Sequence, residues 1–250
     1  MIASLPMYAT PLTAGGDTRF WEFIRDGLRA RGIAAPDRLT HSPPDLIAHW
    51  RDPALVLSQT CGLPYRAALK DQVTLVGTPD YGIEGCPPGH YQSVVIARAD
   101  DDRQTLSAFQ GARFAYNDPL SQSGWAALAL ERPEALHGPK LQTGSHQASA
   151  LAVRKGVADF VAIDVVTWRH LMAQSVTAGL HIIHATQPTP GLPFITAKTQ
   201  DPAPIFAAMN DAITALSSAD QATLGLKAVI DLPPGAYDLP LPPNPVAFAP

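Results

Sequence analysis

The sequence predicts an α/β protein of two lobes joined by two hinge strands, with a ligand cleft between the lobes. Short apolar segments alternate with amphipathic helical segments along most of the chain, which is typical of mostly parallel sheets covered by helices. Two stretches, near 97–102 and 186–193, are interpreted as crossings between the lobes. The 250 residues are 46% hydrophobic and 16% charged, which supplies the apolar material of a substantial core.

The first lobe is predicted to comprise residues 1–96 and 190–250. Its first part alternates strands and helices. The expected elements are a strand over 2–8, a helix capped by Asp17 or Thr18, a helix over 45–50, a strand over 54–57, helical turns over 64–69, and strands over 73–77 and 91–98. After the second crossing we expect an extended segment over 194–198 and helices over 204–216 and 219–224. The tail, 232–250, is rich in proline, and we expect it to be extended.

The second lobe is predicted to comprise residues 97–189 and to repeat a strand-then-helix unit three times. The expected pairs are strand 113–116 with helix 121–130, strand 140–143 with helix 145–155, and strand 160–163 with helix 164–173. A further extended segment covers 179–185. Ligands of open α/β sheets bind beyond the carboxyl ends of the strands, so these strand-to-helix turns are the first place to look for a site.

Two of these turns are unusually rich in hydroxyl groups. A helix N-terminus leaves backbone N–H groups without partners and carries partial positive charge, so two such ends with added hydroxyl donors form a site for an anion. Neither turn contains Lys or Arg, so neutral donors would hold the charge. The candidate ligand-binding residues of the two turns are Asn117, Ser121, Gln122, Ser123, Gly124, Trp125, Thr143, Gly144, Ser145 and His146. Plain helix capping explains part of this pattern.

Further candidates lie elsewhere in the chain. Asp164 ends a buried strand and is interpreted either as a ligand contact or as a helix cap. His146 begins a helix, where the dipole disfavours its charged form. Tyr8, Gln59 and Thr60 follow strands of the first lobe and are expected to line the opposite wall of the cleft.

Composition limits the other classes of function. The net charge of −4 argues against a nucleic-acid-binding protein, and no apolar run is long enough to span a membrane. The first residues lack a recognisable signal peptide.

The two cysteines, Cys61 and Cys86, are either thiols or a disulfide, and the disulfide would indicate an oxidising compartment. Neither cysteines nor histidines show metal-ligand spacing, and we expect no cofactor.

Enzyme chemistry is the main alternative. Ser145, His146 and Asp164 occur in this order in the sequence. Ser145 and His146 are adjacent at one helix start, so they do not face each other as a nucleophile and a base. The sequence contains no G-x-S-x-G elbow, P-loop or G-x-G-x-x-G fingerprint. A third possibility is a cytoplasmic ligand sensor on the same fold.

The chain resembles the phosphate- and phosphonate-binding components of ABC transporters, members of the type II periplasmic binding protein superfamily. The resemblance lies in residues 115–125, 143–149 and 158–164, with weaker similarity at 57–65 and 189–193. It implies two α/β lobes, two hinge strands, no catalysis and a small anionic solute, with the oxyanion held by Ser121, Ser123, Thr143, Ser145 and His146.

The chain differs in one respect from the aminophosphonate binders that it resembles. These proteins are expected to offer a carboxylate to the ligand's ammonium from the second hinge, where this chain has no acid over 187–191. Asp164 could substitute for it. We therefore expect a monomeric solute-binding protein for phosphate- or phosphonate-like anions that serves an ABC permease. It would be periplasmic if an export signal precedes the given sequence and cytoplasmic otherwise. A sulfonate or a thiamine precursor is the alternative ligand.

Overall fold

The structure, a computed structural model, describes residues 1–245. Residues 246–250, the end of the predicted proline-rich tail, lie outside the described residues. The chain forms two compact units. Unit 1 consists of Met1–His90 and Pro190–Leu239, and unit 2 consists of Tyr91–Thr189 and the described part of Pro240–Pro250.

Unit 1 is built from an N-terminal and a C-terminal segment. The N-terminal segment contains β1 (Ile2–Ser4), α1 (Ala14–Ala30), α2 (Leu46–Trp50), β2 (Leu55–Gln59), α3 (Gly62–Pro64) continued by a π-helical turn (Tyr65–Leu69), β3 (Val73–Asp80) and β4 (His90–Tyr91), whose last residue begins unit 2. The C-terminal segment contains β11 (Phe194–Ala197), α7 (Pro202–Ala215), α8 (Ser218–Leu224), β12 (Ala228–Ile230) and a 3-10 turn (Pro234–Tyr237).

The sheet of unit 1 has five strands in the order β1-β2-β11-β3-β12. β1 pairs with β2 in parallel, whereas β11 is antiparallel to both β2 and β3. Helix α1 buries Phe20, Trp21, Ile24 and Leu28, which recur at helical spacing and form one apolar face. Because β1 and β2 are parallel, their carboxyl ends lie at the same edge of the sheet.

Unit 2 contains the three predicted strand-to-helix repeats. Its elements are β5 (Ser93–Arg98), β6 (Phe114–Tyr116), a π-helical turn (Gln122–Ala126) continued by α4 (Ala127–Glu131), β7 (Lys140–Gln142), α5 (His146–Arg154), β8 (Phe160–Asp164), α6 (Val165–Ala173), β9 (Leu180–Ala185), β10 (Thr189–Pro190), whose last residue returns to unit 1, and 3-10 turns at Leu106–Phe109 and Pro133–Leu136.

The sheet of unit 2 has the order β7-β6-β8-β5-β9. β6 lies between β7 and β8 and is parallel to both, whereas β5 is antiparallel to β8 and β9. β5 pairs only with strands of this sheet, and residues 91–96 group with unit 2, whereas the sequence predicted them in the first lobe. Residues 240–245 also group with unit 2.

The sheet of unit 2 separates two apolar clusters. One cluster contains Phe109, Phe114, Trp125 and Phe160, and the other contains Ile96, Val161, Ile163 and Trp168. Alternate residues of β8 point to opposite faces, so Phe160 and Val161 belong to different clusters. The sheet is thus covered by apolar side chains on both faces, and the turns at its carboxyl edge follow directly from its strands. Among residues 1–245, no helix is both long enough and apolar enough to cross a membrane.

Candidate functional site at the carboxyl edge of unit 2

Three parallel strands of unit 2 end at one edge of the sheet, and each is followed by a turn into a helix. The turn after β6 leads to the π-helical turn and α4, the turn after β7 leads to α5, and β8 leads directly to α6. We call residues 117–126, 143–149 and 164–167 the carboxyl edge of unit 2. Most of the sequence-predicted site residues lie there.

Each of the three helical segments is capped by a side chain. Ser121 Oγ accepts the amide of Gly124 at 3.0 Å, and Ser145 Oγ accepts the amide of Ala148 at 3.1 Å. Asp164 Oδ1 accepts the amide of Thr167 at 2.7 Å. Capping therefore engages Ser121 Oγ, Ser145 Oγ and Asp164 Oδ1 as hydrogen-bond acceptors. The amides at the first two positions of α5 have no acceptor within the helix, and they remain the donors that a helix start offers to an anion.

The first two turns of the carboxyl edge are tied together by backbone hydrogen bonds. The amide of Thr143 donates to Tyr116 O at 2.9 Å, and the amide of Gly144 donates to Asn117 O at 3.0 Å. The hydroxyl group of Thr143 lies within hydrogen-bonding distance of Tyr116 O, Ser145 O and Ser149 Oγ. The two turns converge, and the hydroxyl group of Thr143 is engaged in holding them.

Ser123 and His146 join the two turns through their side chains. Ser123 Oγ and His146 Nε2 are 3.0 Å apart and form a hydrogen bond. Asp164 Oδ2 lies 3.5 Å from the same Nε2. In a Ser-His-Asp triad the serine and the carboxylate contact opposite nitrogens of the ring. Here both approach Nε2, so the group lacks the geometry of a nucleophile activated by a base.

The imidazole of His146 is held in its neutral form. Burial lowers its pKa below the usual value, and the carboxylate of Asp164 opposes this with a smaller effect. A neutral ring protonated on Nε2 donates its hydrogen to Ser123 Oγ, which leaves the hydroxyl hydrogen of Ser123 to be donated elsewhere. The pair therefore presents a hydroxyl donor without a formal positive charge.

Gly124 packs tightly against Asn117 of its own turn and against His146 of the second turn. A Cβ atom at this position would lie 1.9 Å from Asn117 Oδ1 and 3.1 Å from His146 Cε1. Within residues 1–245, Asn117 Oδ1 and His146 Nδ1 are buried side-chain atoms with no hydrogen-bond partner. Buried polar atoms are usually paired, so unsatisfied ones beside a helix start mark a place where a ligand or ordered water belongs.

One of the predicted ligand-binding residues, Trp125, lies in the apolar cluster below this edge. Trp125 is fully buried, packs against Phe114 and Tyr116, and donates its Nε1 hydrogen to Pro243 O at 2.8 Å. Gln122 is also buried. The large ring beside Gly124 therefore supports the turn from below, which the sequence alone did not reveal. By contrast, Gly144 and Ser145 are exposed.

The predicted residues of unit 1 lie after its two parallel strands. Thr60 is fully buried, and its amide donates to Pro193 O at 2.9 Å. Gln59 is buried and its Nε2 donates to Tyr81 Oη and Leu192 O. Tyr8 is half-buried and stacks edge-on against Tyr81. These contacts build the end of the unit 1 sheet, and any ligand contact by these residues stays a prediction.

The structure also answers the question that the sequence left open about the cysteines. Cys61 and Cys86 are half-buried thiols that are not joined to each other. In residues 1–245, no cluster of His, Cys, Asp or Glu has the composition of a metal site.

Two residues that hold Ser123 and Thr143 in place were not among the site residues predicted from the sequence. Ser93, on β5, donates its hydroxyl hydrogen to Ser123 O at 3.1 Å, and buried Ser149 hydrogen bonds with Thr143. Ser149 is in the second hydroxyl-rich turn, so the local pattern contained a signal for it. Ser93 lies 30 residues before Ser123 in the sequence, and only the strand order brings the two together.

The sequence was also compared with known proteins. Residues 43–231 match the family of periplasmic substrate-binding proteins of phosphonate ABC transporters. The chain belongs to this family. The resemblance predicted from the sequence is thereby confirmed. A comparison with curated proteins gives no match.

Solved structures support the same fold. PhnD1 from Prochlorococcus marinus, solved in complex with methylphosphonate, has a TM-score of 0.71 at 14% identity, over 95% of this chain and 94% of that one. A binding protein component of an ABC phosphonate transporter from Pseudomonas aeruginosa has a TM-score of 0.64 at 15% identity, over 92% and 80%. A Xanthomonas citri protein bound to ATP has a TM-score of 0.67 at 14% identity, over 99% and 94%. The predicted two-lobed α/β fold class is confirmed.

Membership of the family establishes the general role of the chain. It is a substrate-binding component of ABC transport for a small anionic solute and not an enzyme. Family members work with a transporter permease and act in the periplasm. The enzyme alternative is not favoured, in agreement with the arrangement of Ser123, His146 and Asp164 around a single ring nitrogen.

A first prediction concerns the close packing at Gly124. The variant Gly124→Ala should lower the free energy of unfolding by about 1–3 kcal/mol, because the new methyl group would overlap Asn117 Oδ1. Adding Asn117→Ala should restore part of the loss, which urea denaturation of the single and double variants measures.

The matched control for this prediction is Gly15→Ala in α1. The nearest atoms to a Cβ at Gly15 belong to the flexible guanidinium of Arg19, 3.5 Å away. This control should be neutral or stabilise by up to about 1 kcal/mol, because Ala is the better helix former. Equal effects of the two glycine substitutions would contradict the packing that we describe.

A second prediction uses the neutral state of His146. As the pH falls below about 6.5 the unfolded chain takes up a proton at this residue, whereas the folded protein resists protonation. The stability contributed by the neutral ring is therefore present above that pH and is lost as the pH falls. Urea denaturation should show that His146→Gln loses less stability than wild type between about pH 7.5 and pH 5.5. The other histidines contribute equally to wild type and to His146→Gln. An equal loss of unfolding free energy in the two proteins over this pH range would therefore contradict the neutral state of His146.

Proposed function

We propose that the carboxyl edge of unit 2 binds the oxyanion head of a phosphonate-class solute, which the protein delivers to an ABC permease. The observation that supports this most strongly is the convergence of two hydroxyl-bearing helix starts around the Ser123–His146 pair, in a chain of the phosphonate-binding family. The first amides of α5 and the hydroxyl groups of Ser121, Ser123 and Ser145 are the proposed donors.

The chemistry of these donors suits a compact tetrahedral oxyanion. They are small, they are aligned by caps and backbone hydrogen bonds, and they are uncharged because His146 is neutral. Preorganised neutral donors bind an anion through many directed hydrogen bonds, so the number and positions of its oxygens decide affinity. The methylphosphonate bound by the Prochlorococcus marinus protein makes this compound the natural first probe.

The remaining expectations form part of the same proposal. We propose that the protein acts in the periplasm, as its family membership favours, and that it is a monomer. Fractionation of native cells tests the compartment, and sedimentation of the purified protein tests the oligomeric state. Tyr8, Gln59 and Thr60 are proposed to contribute to ligand binding from the end of the unit 1 sheet.

A third prediction follows for Ser123. Ser123→Ala should weaken methylphosphonate binding about tenfold or more, because a hydrogen bond to a charged group contributes about 1.5–3 kcal/mol. Isothermal titration calorimetry measures the affinity directly. Wild type should also melt at a higher temperature when methylphosphonate is present, since ligand binds the folded state.

Ser107→Ala is the matched control for Ser123→Ala. Ser107 is an exposed serine of unit 2 in the 3-10 turn that follows β5, outside the carboxyl edge. Its substitution should leave the affinity for methylphosphonate unchanged. If phosphonates, phosphate, phosphite and sulfonates all fail to bind wild type, the proposed function is wrong. If Ser123→Ala binds methylphosphonate as well as wild type does, the assignment of this edge is wrong.

A further inference from the structure

The last described residues of the chain lie in unit 2, although the segment before them belongs to unit 1. The chain passes between the units three times, after His90, after Thr189 and after Leu239. The sequence predicted two crossings. The third leads into residues 240–245, which contain four prolines and which we call the C-terminal strap. Proline fixes φ, so the strap has little backbone freedom.

The strap begins next to a well-anchored residue of unit 1. Tyr237 is 2% exposed, donates its hydroxyl hydrogen to Gly191 O at 2.9 Å and lies 2.7 Å from Thr78 Oγ1. The amide of Gly191 donates to Gly89 O at 2.8 Å. Gly89 and Gly191 adjoin the residues at which the first two crossings leave and re-enter unit 1. The three crossings therefore start from one hydrogen-bonded group of residues within unit 1.

The strap is fixed in unit 2 by a main-chain carbonyl group. Pro243 is exposed, but its O accepts the Nε1 hydrogen of fully buried Trp125 at 2.8 Å. The indole N–H is a donor only, and a buried donor that loses its acceptor raises the free energy of the folded state. The ring itself packs against Phe114 and Tyr116. The strap thus adds a polar contact to the apolar surroundings of Trp125.

Trp125 transmits this contact to the carboxyl edge. It follows Ser123 and Gly124 directly in the π-helical turn, so the position of its ring constrains the backbone that carries the proposed donors. From the sheet, the hydroxyl group of Ser93 donates to Ser123 O at 3.1 Å. The turn is therefore held by β5 and by the strap, two segments that are far apart in the sequence. Neither contact uses the hydroxyl group of Ser123.

We infer that the C-terminal strap positions the ligand-binding turn: Pro243 acts through Trp125 to hold Ser123 and Gly124 in the arrangement that binds the oxyanion. This inference rests on the proposed function of the carboxyl edge. A turn that is ordered before the ligand arrives loses less conformational entropy on binding, so the strap raises affinity through preorganisation. Because the strap continues the chain from unit 1, it makes the binding turn of unit 2 depend on a segment that is anchored in unit 1.

The first test needs no ligand. A variant that ends at Leu239 keeps every strand of both five-stranded sheets and both apolar clusters of unit 2, so it should fold. Amide hydrogen exchange should show residues 121–131 exchanging about fivefold or more faster than in the full chain, because local opening requires less free energy once the indole contact is gone. Helix α6 provides the internal control and should exchange at the rate of the full chain.

The second test measures methylphosphonate affinity by isothermal titration calorimetry. The variant that ends at Leu239 should bind about fivefold or more weakly than the full chain, which is the lower end of typical coupling between two parts of a protein. Trp125→Phe keeps an aromatic ring and removes the donor, so it should also weaken binding. Both changes remove the same hydrogen bond, so the combined variant should lose less binding free energy than the sum of the two separate losses.

A variant that ends at Pro245 is the matched control. It keeps Pro243 and removes only residues 246–250, so its exchange rates and its methylphosphonate affinity should equal those of the full chain. If it shows the same losses as the variant that ends at Leu239, the effect belongs to residues 246–250 and the inference is overturned.

The outcomes separate this inference from the proposed function. If the full chain binds no oxyanion, the proposed function fails and the inference fails with it. If the full chain binds methylphosphonate but the variant that ends at Leu239 binds it as tightly, or exchanges at the same rate over residues 121–131, the inference is wrong and the site stands. A lower free energy of unfolding with unchanged affinity is the result expected of a merely structural strap. That result, or full additivity of the truncation and Trp125→Phe, also contradicts the inference.

Discussion

The parallel pairing of β6 with β7 and β8 is the constraint on which the site depends. Parallel strands end at the same edge of a sheet, and each strand here leads into a helix whose first amides face that edge. Ser123 and His146, 23 positions apart in the sequence, are thereby placed within hydrogen-bonding distance, as are Thr143 and Tyr116, 27 positions apart. The two apolar clusters pack against the sheet from both faces, and the turns follow directly from its buried strands.

The electrostatic character of the edge follows from the residues that the turns lack. Without Lys or Arg, an anion is held by dipoles and hydroxyl groups, and burial prevents His146 from supplying a charge. Such a site has little long-range attraction, so it gains affinity through alignment. The close packing of Gly124 against Asn117 and His146 provides that alignment, and it explains why this position has no room for a side chain.

The sequence was sufficient to predict the strand-to-helix repeats of unit 2 and the two hydroxyl-rich turns, because cap residues and apolar periodicity are local signals. It was not sufficient for features that arise between distant segments. The contact of Ser123 with His146 and the support of Ser123 by Ser93 require the strand order. Trp125 was predicted as a ligand-binding residue, and that stays a prediction; the packing of its buried ring against Phe114 and Tyr116 also required the strand order. The thiol state of Cys61 and Cys86 is likewise a matter of distance in space and not of sequence pattern.

A crystal structure of the full chain with methylphosphonate would test the central claim most directly. We predict that phosphonate oxygens lie about 2.6–3.2 Å from Ser123 Oγ and from the first amide nitrogens of α5, with no Lys or Arg of unit 2 in contact with them. Methylphosphonate bound elsewhere on the protein, with the carboxyl edge of unit 2 filled by water alone, would contradict it.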